Sequence, residues 1–181
     1  MIYIRIDPGL KGAISSIDSN GKLLSNDPMP LKENRELDIK IIKTLLNKPD
    51  AKIGIEQQMM FAQQGMSSGQ KTVRNFGVLL GTLECLECDY KIFNSRAWKK
   101  IFPELETQEI VDLRTIGNDK TKPKPIRSAA KKKIKPLAKK AAIAYVNKKY
   151  GLKLKATQDG LAESIMMAIF IKESWDSITK D

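Results

Sequence analysis

Residues 2–25, IYIRIDPGLKGAISSIDSNGKLLS, decide the fold. Apolar and polar side chains alternate through IYIRID and stop at Pro8–Gly9, which predicts a strand running into a tight turn. GAISSID alternates in the same way, and Asn20–Gly21 supplies the positive backbone angles that a short hairpin needs before KLLS. Three antiparallel strands therefore open the chain, and Asp7 stands at the C-terminal end of the first.

Working outward, NRELDIKIIKTLLNK (34–48) places Leu37, Ile41 and Leu45 at helical spacing, with Asn34 as the expected cap. AKIGIE (51–56) is a short β-branched strand ending on Glu56, and residues 67–87 form a long helix in which Gly77 and Gly81 leave room for a close neighbour. YKIF (90–93) is a fifth strand. Periodicity then disappears. Gly117, Pro123, Pro125 and many lysines predict a basic, mobile insertion at about 103–135. A helix resumes at Pro136, where proline suits a first turn, and stops at Gly151. The last helix runs from Asp159 to about Trp175. The order β, β, β, α, β, α, β, α, α implies an α/β fold, and 181 residues suit a single domain.

The charge is unevenly spread. Lys and Arg outnumber Asp and Glu by 32 to 21, for a net +11, which points to a polyanionic partner such as nucleic acid. Between Arg114 and Lys140 eleven basic residues face one acid, Asp119, so that stretch holds +10 of the total. No apolar run approaches the roughly 20 residues of a membrane span, and the start MIYIRIDPG lacks a leader pattern, so a cytoplasmic setting and no membrane partner are expected. Cys85 and Cys88 are the only cysteines and histidine is absent, which leaves a structural zinc site short of ligands.

Four carboxylates fall at element ends: Asp7 and Glu56 close the first and fourth strands, and Asp159 and Glu163 open the last helix. If those strands are parallel neighbours, Asp7 and Glu56 emerge at one edge of the sheet. Positions i and i+4 share a helix face, so Asp159 and Glu163 can meet them there. Singly, Asp7 reads as a turn residue and Asp159 as a helix cap. Together, four acids need counter-charge, and hard divalent cations with oxygen ligands supply it. Two such ions, Mg2+ or Mn2+, about 3.5–4 Å apart, are the usual apparatus for displacement at a phosphodiester, and that chemistry needs no histidine.

IRIDPGLKGAISSID, IGIEQQMMF, RNFGVLLGTLECLE, SRAWKK and QDGLAESIMMA, in that order and spacing, resemble the successive blocks of the RuvC family of Holliday junction resolvases. The resemblance covers most of the chain outside the basic stretch. It implies an RNase H-like fold, a homodimer, and paired metal-dependent nicks in opposing strands of a four-way DNA junction, with no small-molecule substrate. Carried over by position, the family's acids match Asp7, Glu56, Asp159 and Glu163. Bacterial members usually carry two Asp three residues apart, whereas here Ala156 stands three before Asp159 and the partner Glu163 lies four after. DGLAE is more similar to plant organellar and viral members, which implies a phage or organellar lineage and a host-cytoplasmic or organellar setting. The family's assisting basic residue corresponds best to Lys99, then to Lys155. Phe61 resembles the aromatic that stacks at the junction centre.

Lys71, Arg74, Arg96, Lys99 and Lys100 would flank a site at the strand ends and bind phosphates, and Lys131 and Lys132 in the basic stretch would extend that contact. The helix around Phe76, Leu79, Leu80 and Leu83 is the expected dimer face, with core packing as its alternative. Two other classes compete. An actin-like ATPase or sugar kinase also opens on such a strand and hairpin, but needs far more chain. A branched-DNA-binding module without catalysis is disfavoured, because unneutralised acids beside DNA weaken binding. Within the nuclease class, enzymes acting on flaps or RNA–DNA hybrids are the nearest alternative.

Overall fold

The computed structural model describes residues 1–58, 66–94 and 98–178. Strands β1 (Ile2–Ile6), β2 (Ala13–Asp18), β3 (Leu23–Pro28), β4 (Ala51–Glu56) and β5 (Asp89–Phe93) form one mixed sheet in the order β3-β2-β1-β4-β5. β1 pairs antiparallel with β2 and parallel with β4, and β5 joins parallel to β4. The hairpin turns at Gly21, whose φ of 80° is the left-handed angle expected of Asn-Gly. The strand order, the hairpin and the parallel β1–β4 pair agree with the sequence reading.

Period-two alternation gives the sheet two unlike faces. On one, Ile4, Ile6, Ile14, Ile53 and Ile55 pack against α1 (Ile39–Leu46) and α2 (Met66–Cys85) through Ile42, Leu46, Leu79 and Leu83. On the other lies α5 (Asp159–Ser174), which is buried almost continuously from Ala162 to Ile171. Each fully buried large apolar side chain there contributes on the order of 1.5–3 kcal/mol. The sheet makes room for α5 at Gly54, where a Cβ would stand 2.2 Å from Ile171. A hydrogen-bonded chain, Ser164–Ser15–Asn26, with 2.7 Å links, fixes the register of the helix on the sheet. No described helix is long and apolar enough to cross a membrane.

Three expectations are corrected. The stretch 103–135, expected as an irregular loop, folds into a short 3-10 turn at Pro103–Leu105, α3 (Gln108–Asn118) and the first half of α4 (Lys124–Tyr150). α3 and α4 pack on each other as a hairpin, and Gly117 lies against the Lys131 stem. Pro136 does not start α4 but sits inside it, where it forfeits one backbone hydrogen bond. The first helix is capped by Asp38, which accepts from the N–H groups of Lys40 and Ile41, and not by Asn34. Leu79 and Leu83, expected at a dimer face, are buried against the sheet, and Phe76 and Leu80 pack on the same cluster. The open side of α2 carries instead Val73, Gly77, Val78 and Gly81.

Candidate active site

Ile6 pairs with Ile55 in the parallel β1–β4 ladder, so the next residue on each strand, Asp7 and Glu56, leaves the same sheet edge side by side. The Asp7 carboxylate is held in its turn by the Gly9 N–H, 3.1 Å away. The first turn of α5 reaches this edge because Gly160 packs against the Lys11 carbonyl, where a Cβ would stand only 3.0 Å away. Asp159 and Glu163 then project one helical turn apart over the strand ends.

The charges of these groups act on one another. Burial pushes the Glu56 carboxyl above its ordinary value of 4.5; the Arg5 charge opposes that shift, while the charges of Asp7 and Glu163 add to it. Burial likewise raises Glu163, with Lys99, Lys139 and Arg5 opposing and Asp159 adding. All four predicted acids thus share one electrostatic neighbourhood. Among the described residues, however, no three acids stand close enough to hold an ion between them. Two cations of the chain hold them instead. Arg5 Nη2 donates to Glu56 Oε2 at 2.7 Å and lies 3.6 Å from Asp7 Oδ2, and the Lys139 ammonium pairs with Asp159.

Both cations escaped the sequence reading. Arg5 is the polar position of a strand that looked half-exposed; its signal was that a strand flanked on both sides in a mixed sheet is covered on both faces. Lys139 was one lysine among many, and only the packing of α4 on α5 brings it to Asp159. Of the two lysines proposed to assist, Lys99 is close enough for its charge to act on Glu163, whereas Lys155 is an exposed residue just before the 3-10 turn at Ala156–Gln158. An all-carboxylate set suits Mg2+ or Mn2+. The donor chemistry therefore fits such an ion, provided that Lys139 releases Asp159.

The predicted DNA contacts separate into groups. Lys71 and Arg74 line a cleft with Leu10, Asn34, Arg35, Glu36 and Asn75, three residues along the chain from Asp7 at Leu10; Arg74 pairs there with Glu36 at 3.2 Å. Lys99 and Lys100 are exposed on a 3-10 turn, Trp98–Ile101, whose Trp98 anchors it in the core beneath α5. Lys131 and Lys132 are exposed on α4. Lys132 and Lys135 lie seven and four residues before Lys139, so helical spacing sets them on the face that leads to the acids. Phe61 and Arg96 lie outside the described residues.

No family model matches the chain, and no curated protein matches it. Among solved structures, the chain is similar to Thermus thermophilus RuvC in complex with Holliday junction substrate. The TM-score is 0.59 at 14% identity, over 98% of this chain and 96% of that one. A second Thermus thermophilus RuvC structure gives a TM-score of 0.50 at 14% identity, over 96% and 97%. The fold is therefore RNase H-like and of the RuvC type: a mixed five-stranded sheet with helices on both faces.

Proposed function

We propose that this chain is a divalent-metal-dependent endonuclease that nicks branched DNA, with the four-way junction as its substrate. The observation that carries the reading is the convergence of Asp7, Glu56, Asp159 and Glu163, from β1, β4 and α5, into one electrostatic neighbourhood beside a lysine-rich helix. The likeness in fold to a RuvC bound to junction substrate selects branched DNA among the nucleic acids that such a surface could hold.

In this reading the four acids hold Mg2+ or Mn2+, which when bound supplies an activated water and stabilises the leaving oxygen. The chain supplies the rest. Asp7 and Glu56 are positioned by adjacent strands, and Asp159 and Glu163 by a helix anchored along most of its length. Lys139, released from Asp159, meets the phosphate beside the scissile bond. Lys132, Lys135, Lys71 and Arg74 hold flanking phosphates, giving affinity without sequence preference. A junction has two-fold symmetry, so the active form is a C2 homodimer with one centre for each of two opposing strands. The open side of α2, with Val73, Gly77, Val78 and Gly81, is the candidate contact.

The test is cleavage of a labelled synthetic four-way junction and of linear duplex, with Mg2+ and with EDTA, mapping the cut positions. Symmetric paired nicks near the crossover that require the metal are expected. An intact junction alongside cleavage of a flap or of RNA in a hybrid would overturn the substrate and keep the metal chemistry. Cutting in EDTA would overturn the metal chemistry itself.

A further inference from the structure

The acids emerge above a cation that cannot leave. Arg5 points from β1 to the α5 side of the sheet, and its side chain is 0% exposed. Its Nη2 alone reaches both Glu56 and Asp7, at 2.7 and 3.6 Å. Its Nε and Nη1 are buried without a hydrogen-bond partner. A guanidinium keeps its proton at any pH the protein meets, so the positive charge here is permanent. Burying it with a single close partner is costly, and this arrangement is kept at the centre of the sheet, between β2 and β4 and beneath α5.

From this geometry, and resting on the nuclease reading above, we infer that the centre takes one divalent cation per chain, not two. Arg5 occupies the place that a second ion would share between Asp7 and Glu56. The charges agree. Asp7, Glu56, Asp159 and Glu163 carry −4, while Arg5 and Lys139 carry +2, leaving −2, which a single divalent ion neutralises. Lys99 is exposed and screened by water, so it counts for little in this balance. The two resident cations differ in kind. Lys139 is a partly exposed ammonium on a surface helix and can swing from Asp159 to an incoming phosphate. Arg5 has no path to solvent. The one ion therefore binds on the α5 side, where Asp7, Asp159 and Glu163 supply oxygens and Glu56 stays committed to Arg5. This replaces the two-ion expectation of the sequence reading.

The test counts Mn2+ bound to the full-length chain by electron paramagnetic resonance, with Asp7→Asn as the blank that subtracts surface sites. One ion per chain that disappears in Asp7→Asn is expected. Two such ions would overturn the inference and leave the nuclease reading standing. None would overturn the metal centre as a whole. In Arg5→Met, which exchanges the guanidinium for an apolar side chain of similar reach, the count is expected to rise to two. A count that stays at one would remove Arg5 from the explanation. Should Arg5→Met fail to fold, the wild-type count decides alone.

Discussion

The two faces of the sheet are built from the same five strands and could hardly differ more. Toward α1 and α2 the inward positions are Ile4, Ile6, Ile14, Ile53 and Ile55, a layer that needs nothing but close packing. Toward α5 the same strands turn inward Arg5, Ser15, Gly54 and then, at the edge, Asp7 and Glu56. That face buries a permanent charge and a hydroxyl chain, each of which costs stability relative to an apolar substitute. Polar groups persist under cover where a fold performs chemistry, and plain isoleucine persists where it only has to stand. The difference between the faces locates the site independently of any motif.

Substitutions can break this contrast. The largest effect is expected from Asp7→Asn: cleavage should fall by more than the ~100-fold typical of losing a group that merely supports a metal ligand. Junction binding, read by gel shift, should be retained or tightened, because one negative charge beside the DNA is gone. Joint loss of binding and cleavage would argue that Asp7 is structural. On the opposite face Ile53→Ala should reverse the pattern, costing about 2–5 kcal/mol of stability by urea denaturation while the folded fraction cuts normally. Loss of activity per folded molecule in that variant would mean that the two faces are coupled.

A third experiment sharpens the contrast through pH. Glu163 has its pKa raised above 4.5, so the folded chain holds that proton longer than the unfolded chain does. The stability this contributes is complete below 4.5 and is lost as pH climbs through the raised folded value. In EDTA, Glu163→Gln should therefore gain on the wild type as pH rises from 4.5 toward neutral. With metal present the order should reverse, since the ion needs the ionised carboxylate. Urea midpoints across pH, with and without Mg2+, decide it. The smallest effect should come from Asp38→Ala, far from both questions, at about 1 kcal/mol for a lost helix cap, with cleavage unchanged.

How much was legible follows from which forces act locally. The opening hairpin could be read because Asn20–Gly21 and strict alternation are local signals, and the acids could be read because each closes or opens an element. α3 and the start of α4 were missed because their lysines hide the pattern: only Ala130, Ala142 and Val146 of α4 are fully buried, too sparse a stripe to register as periodic. Pro136 reinforced the error, since packing of α3 and α5 against α4 overrides a preference that would otherwise start a helix there. Phe76, Leu79, Leu80 and Leu83 were placed correctly on α2 but assigned to the wrong neighbour, because a helix pattern shows that a face is covered and not by what. Arg5 and Lys139 act through tertiary contacts, and no local signal reports those.

The hydroxyl contact between Ser15 and Ser164 spans 149 positions of sequence, and the four acids are spread almost as widely. Contacts of that range form late, after the entropy of closing a long loop has been met, and they form together with the core that α5 completes. A chain caught midway, with its hairpin made but α5 undocked, has Asp7 and Glu56 without Asp159 and Glu163. Such an intermediate is inert toward DNA. The wiring of the fold thus acts as a safeguard: the capacity to cut arrives only with the last step of assembly.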